Sequence, residues 1–327
     1  MSQFNVLPEI SPGTYIPHHL HTSEYAWVEK NCYVDLYIEV LHGLKLEPLA
    51  MLPFTLAVDF VGDQWTFFKP QLSEMRELYG LDVQEMSVWR SLLEHCAEHL
   101  GSGRLISVEV DAYWLPDTIA TDYRKQHTKT TIAIVKLDTV NWQLGYFHNA
   151  GYYELQGEDF RRLFHIDVPL SEDYLNPYVE LIHINRLVQQ PHDRLIAMSF
   201  DLLRKYLQLI PDSNPVHRYA ERFSRELPIL QERGLAYYHL WAFNNTRQLG
   251  AAFELAAIYL NWLSQSGSHD FAPAIAGFRK ISMDNKSLIL KIARVVNTKK
   301  ALDLSEMFQG MAHDWEQSMQ FLKNSLN

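Results

Sequence analysis

The sequence predicts an α+β domain over residues 1–165 followed by an α-helical domain over residues 166–327, and three observations lead there. Before residue 165, short runs of β-branched and aromatic residues bounded by Gly, Asp and Asn alternate with helical patterns, as strands and helices do in a mixed domain. After it the β signal fades, and apolar residues recur at helical spacing between breaks. A chain of 327 residues, 47% hydrophobic, is long enough for two cores of this kind.

In the first part, strands are expected at Phe54–Phe60, Trp65–Lys69, Leu105–Val110, Thr130–Leu137 and Leu144–Phe147. Asn31 is a good N-cap residue, and CYVDLYIEVLHG after it is apolar on most sides up to Gly43, a natural stop. That pattern predicts a buried central helix opening at Cys32. Trp89, Leu92, Leu93, Ala97 and Leu100 mark one face of a second helix, with Cys96 on that face as a small hydrophobe. In the second part, helices are expected at Asn176–Gln189, Asp193–Leu209, Pro215–Arg233, Thr246–Ser264, Asn285–Thr298 and Leu304–Asn324. Breaks fall at Pro211–Pro215, Gly267–Pro273 and Asn297–Lys300.

Composition excludes several functions. A net charge of −10 argues against a nucleic-acid backbone or an anionic membrane as the main partner. The most apolar helical run, Leu249–Leu263, is interrupted by Glu254 and Asn261, too polar for a membrane span. The N-terminus lacks a basic start followed by an apolar stretch, so no signal peptide is expected and the cytoplasm is the expected location. Two cysteines make no disulfide framework. His18, His19 and His21 form an HHxH cluster without further ligands at metal spacing, so no metal is expected, and no other cofactor.

The chemistry centres on Cys32. In the first turn of a helix, unpaired N–H groups and the positive end of the dipole favour a thiolate. A buried helix presenting a thiol in this way is the nucleophile arrangement of papain-like enzymes. Such a thiol needs an imidazole base, and the base needs an orienting group. His127 stands just before the strand Thr130–Leu137, and Asn149 just after Leu144–Phe147. With the turn placed near Asp138, the two are symmetric about it and become neighbours at the open end of one hairpin. Asn149 would then accept the His127 Nδ1–H; His148 stays open as base or orienter, because register is uncertain by a residue. Asp63 and Gln64 follow Gly62 in a strand–turn–strand, where they form the turn or read a polar substrate group. Asp111, Asp117 and Asp122 crowd the stretch before His127, each a candidate to bind an ammonium group or compete as orienter. Arg124 and Lys125 make a small basic spot beside it.

At these residues the sequence acquires a resemblance. The strings NCYVDLYIEVLHGL, DFVGDQWTFFKP, LYGLDVQEM, EVDAYWLPDT, DYRKQHTKTTI and YFHNAGYYEL resemble the uncharacterised bacterial family called domain of unknown function 1839. More distantly, the order of Cys32, Val110-Asp111 with Leu115-Pro116, His127 and Asn149 is similar to the N-terminal domain of the butirosin acyltransferase BtrH type. That resemblance implies a papain-like fold and transfer of an acyl group, such as an aminoacyl group, from a carrier-protein thioester to a small-molecule amine. The same order resembles bacteriocin-processing cysteine peptidases. Those place a Gln about six residues before the Cys, where this chain has Ala26. An oxyanion hole would then use the Cys32 N–H with Asn31 or Gln64. The expected function is therefore a thiol acyltransferase or thioesterase acting through Cys32, His127 and Asn149. The alternatives are a cysteine peptidase of the same fold and a non-catalytic protein that binds a carrier or other partner.

Overall fold

The computed structural model describes residues 2–167, 170, 174–267, 269–300 and 303–326. In chain order its elements are β1 (Gln3–Asn5), α1 (Cys32–Gly43), β2 (Phe60–Val61), β3 (Gln64–Trp65), α2 (Leu72–Tyr79), β4 (Asp82–Glu85), α3 (Leu92–Gly101), β5 (Leu105–Asp111), β6 (Lys129–Asp138), β7 (Gln143–His148), β8 (Gly151–Gln156), α4 (Glu158–Leu163) and β9 (Val179–His183). Five further helices follow: α5 (His192–Leu207), α6 (Pro215–Asn244), α7 (Thr246–Ser264), α8 (Ala272–Thr298) and α9 (Ser305–Leu326). The chain is mixed α/β with a helical C-terminal region. Two compact units divide it, and neither is continuous in sequence: the first takes Met1–Thr22, Asn31–Pro48 and Gln71–Gln190, the second Ser23–Lys30, Leu49–Pro70 and Pro191–Asn327.

The first unit is built on an antiparallel sheet in the order β4-β9-β5-β6-β7-β8, with β1 added to β6. Alternation along β5, β6 and β7 sends Ile106, Val108, Ile132, Ile134 and Tyr146 to one face, where Cys96 and Leu100 of α3 and Phe160 of α4 complete a core. Helix α1 packs on β6 and β7. Every residue from Tyr33 to Leu41 is buried, as its nearly all-round apolar sequence requires. The charges this traps are paired. Asp35 and Glu39, one turn apart on α1, both reach the His21 ring, and the Tyr15 hydroxyl and His18 N–H also donate to Glu39. Glu180 of β9 accepts the hydroxyls of Tyr33, Tyr37 and Tyr178 at 2.6, 3.2 and 3.0 Å.

The second unit is helical apart from the β2–β3 hairpin. Helix α7 is buried on nearly all sides, and α8 packs against it, α6 and α9. Gly234, with φ 80° and ψ −173°, breaks α6 into two helical pieces, and only a residue without a Cβ takes that conformation cheaply. The segment 23–30 is anchored by Glu254 of α7, whose carboxylate accepts the N–H groups of Ala26 and Trp27 at 2.7 and 3.0 Å. Burial pushes the Glu254 carboxyl up, and those two hydrogen bonds oppose it.

Four expected elements differ, and of the strand expected at Trp65–Lys69 only Trp65 is paired, in β3. Phe54–Phe60 is no strand; Pro48–Ala57 is a 3-10 stretch, and Pro53 within it has no N–H for a ladder. Asn176–Gln189 is no helix; Pro177 biases the residue before it towards extended backbone, and β9 follows, paired with both β4 and β5. Helix α8 begins at Ala272, well before Asn285, because Pro273 sits in its first turn, where a missing N–H costs nothing. Helix α7 spans the expected Thr246–Ser264.

Candidate functional site

Asn31 caps α1 from extended backbone, its side-chain oxygen accepting the N–H groups of Tyr33 and Val34 at 3.1 and 2.9 Å. Cys32 thus opens the helix, half-buried, as the sequence leads one to expect. Helix α1 packs on β6, and Thr131 of that strand bears on the ionisation of the thiol. Burial pushes the thiol up from its ordinary value; Thr131 opposes this, and the Asp35 charge adds to it. Cys96 is fully buried, and burial alone pushes it far up.

The register of the sheet decides which groups share the Cys32 neighbourhood. Ala133 faces Phe147 and Ile134 faces Tyr146, so continuing the ladder brings Thr131, not His127, to the rung of Asn149. His127 lies four residues further along, before β6 begins. The expected His127–Asn149 contact is therefore replaced by another: His127 Nδ1 lies 2.6 Å from Asp111 Oδ2, and the ring stacks on Tyr113 with centroids 4.4 Å apart. Asn149 forms the two-residue turn between β7 and β8 and takes a left-handed φ of 44°, which Asn tolerates better than most residues.

His148 is on the other face. Its Nε2 lies 2.8 Å from Thr130 Oγ1, its Nδ1 2.5 Å from Asp117 Oδ2, and Tyr146 donates to Asp117 Oδ1 at 2.5 Å. Thr130 and Thr131 are consecutive in β6, so their side chains point to opposite faces, and this buried network is separated from Cys32 by the sheet. Arg124 is paired with Asp159 of α4 at 2.5 Å. Asp63 and Gln64 lie at the exposed β2–β3 turn of the second unit, Gln64 opposite Val61.

Thr131 faces Glu109 across the ladder, and Lys129 faces Asp111. These four side chains share the α1 face, and Lys129 Nζ reaches Glu109 at 2.8 Å. Where β5 ends and β6 begins, a cavity of about 600 Å³ opens. Asp111 and His127, Glu109 and Lys129 line it, with Arg162 and Trp114 on another wall; Cys32 does not. His165, also in the lining, has a left-handed φ of 53°; burial pushes its imidazole down, and the Asp111 charge opposes this. A cavity of this size suits a small organic molecule. Its aromatic wall and paired charges are what sequence reasoning missed, since Trp114, Arg162 and Tyr178 meet only when β5, α4 and β9 come together. Among the described residues no group of three or more His, Cys, Asp or Glu gathers in a metal-holding arrangement, and no helix is long and apolar enough to cross a membrane.

Fold and site together define an α/β protein of two units whose buried, thiol-bearing helix lies on an antiparallel sheet beside a charged cavity. The chain belongs to the DUF1839 family: the model of the DUF1839 N-terminal domain matches residues 16–184, and that of the DUF1839 C-terminal domain matches residues 192–324. No curated protein matches the chain.

Proposed function

We propose that this chain is a binding protein on a cysteine-enzyme-like frame, with a structural thiol and the cavity at the β5–β6 end as its ligand site. One observation carries the reading: the β6–β7 register puts Thr131, not His127, on the rung that leads to Asn149, and His127 pairs instead with Asp111 in a cavity that Cys32 does not line. A threonine hydroxyl cannot take the thiol proton at neutral pH, and burial holds that proton on sulfur. His127 and Asp111, paired in the cavity, orient a ligand there.

The acyltransferase or thioesterase reading, with its carrier-protein donor and amine acceptor, and the peptidase reading both require Cys32 to ionise through His127. Iodoacetamide alkylation of Cys32 against pH, followed by mass spectrometry in wild type and His127→Ala, separates the two cases. The binding reading expects slow labelling with an ordinary or raised thiol pKa, unchanged by the substitution. Rapid labelling well below the usual thiol pKa of about 8.5, lost in His127→Ala, would replace it with the thiol enzyme.

A further inference from the structure

The charges lining the β5–β6 cavity are not all paired within it. Glu109 is matched by Lys129 at 2.8 Å, and Asp111 lies 2.6 Å from His127 Nδ1. Arg162 stands in the same lining, while its carboxylate partner Glu158, 3.5 Å away and one turn back on α4, does not line the cavity. Lys129 is taken up by Glu109, so Arg162 is the cation of the lining whose carboxylate partner lies outside the cavity. The Arg162 guanidinium lies over the Trp114 ring, 5.7 Å from its centroid. With its Nε turned to Glu158, the guanidinium keeps its terminal N–H groups for hydrogen bonds to a carboxylate or phosphate. The remaining walls are apolar or aromatic: Val110, Leu163 and Pro177, with the rings of Tyr174 and Tyr178. Tyr178 is fixed by its hydroxyl bond to Glu180, so that it presents a ring rather than a charge. Burial pushes the Tyr174 hydroxyl up, which keeps that wall neutral.

We infer that the cavity takes a small organic anion, a carboxylate or phosphate head on an aromatic or apolar body, with the head on Arg162 and the body against Trp114, Tyr174 and Tyr178. This rests on the cavity being the ligand site of the binding reading. The anionic head and the flat body are separate demands, each made by its own wall.

Isothermal titration with phenylacetate, phenyl phosphate, phenylacetamide and inorganic phosphate tests both, on the full chain and on Arg162→Met and Tyr174→Ala. Both substituted side chains are partly exposed, so the variants should fold, and circular dichroism checks that they do. Phenylacetate or phenyl phosphate should bind at least about tenfold more tightly than the neutral amide, the usual worth of a hydrogen bond to a charged group. Arg162→Met should erase that difference, and Tyr174→Ala should weaken every aromatic probe. Which of the two acids binds better identifies the head. Amide and acid binding equally, both weakened by Tyr174→Ala, would overturn the anionic class and leave the cavity a ligand site. Inorganic phosphate matching phenyl phosphate would overturn the demand for a body. Binding of none of the probes at millimolar concentration would overturn the inference and count against the binding reading with it.

Discussion

Replacing Thr131 by His should activate Cys32, because it supplies an imidazole at the β6 residue that already bears on the thiol's ionisation. An unperturbed thiol with pKa about 8.5 is roughly 3% thiolate at pH 7, and burial in this protein keeps Cys32 below even that fraction. Thiols paired with an imidazolium or similar charge fall to about 7.5 or lower, where roughly a quarter or more is ionised at pH 7. The thiolate fraction thus rises about eightfold at least, while the lower basicity costs about threefold in intrinsic nucleophilicity. The net gain in alkylation rate at pH 7 is about threefold as a floor, and larger in proportion to how far burial holds the wild-type thiol up. Thr131 is 6% exposed, so the larger ring also costs about 1–3 kcal/mol in overpacking. Thr131→Asn therefore serves as the control, adding bulk and polarity without a base. The assay is iodoacetamide labelling of Cys32 against pH by mass spectrometry, with buried Cys96 as internal reference and circular dichroism to confirm folding. If a folded Thr131→His labels no faster than Thr131→Asn, the rung assignment is wrong and Cys32 owes its state to something other than its neighbour across β6.

Asn31→Ala removes the acceptor for two N–H groups at the start of α1 and should cost about 1–2 kcal/mol in urea unfolding; an unchanged midpoint would mean the cap is replaced by solvent. Gly250→Ala places a Cβ 2.3 Å from the Trp27 ring, both in the second unit, and should lower the melting temperature by overpacking, at a cost of about 1–3 kcal/mol. Relief of that loss in Gly250→Ala/Trp27→Leu would identify the ring as the obstacle. Asp138 is held down to about 2, first by the Asn141 N–H and then by the Asn141 side chain, the Val140 N–H and Gln3, with desolvation opposing. A carboxyl depressed in the folded state stabilises above its unfolded pKa, near 3.9, and loses that contribution as pH falls through the folded value. The gap in melting temperature between wild type and Asp138→Asn should therefore be full at pH 5 and close towards pH 2; a gap that does not depend on pH would rule out ionised Asp138 as its source.

Much of the frame was legible before any coordinates. The Asn31 cap, the apolar run to Gly43 and the alternating strands of β5, β6 and β7 each follow from a local rule, and local rules survive the absence of tertiary information. The helix α7 was legible for the same reason, its apolar residues being dense enough to demand burial. What failed was non-local. β9 carries a short β-branched run after a proline and becomes a strand only because β4 and β5 both offer it a ladder. The pairing of Asp35 and Glu39 with His21 was hidden because nothing in residues 18–21 reveals which helix they will cover.

The site failed at a single point, the register of β6 on β7, and the cause can be named. Asp138 reads as a turn residue, which sets the turn centre close to it. In the fold Asp138 is the last paired residue of β6, opposite Gln143, and its carboxylate accepts the N–H groups of Val140 and Asn141. The loop therefore starts after Asp138, which moves the rung of Asn149 away from His127, and an irregularity between Ile134 and Lys136 returns the ladder by one residue. Together these displace the rung of Asn149 from His127 to Thr131. Residue order alone is blind to such a shift, since Cys, His and Asn still follow one another along the chain. Chemistry is not blind to it: a hydroxyl replaces an imidazole beside the thiol, and the imidazole turns instead to Asp111 in a cavity that Cys32 does not line. A nucleophile inferred from order needs its register checked before its activity.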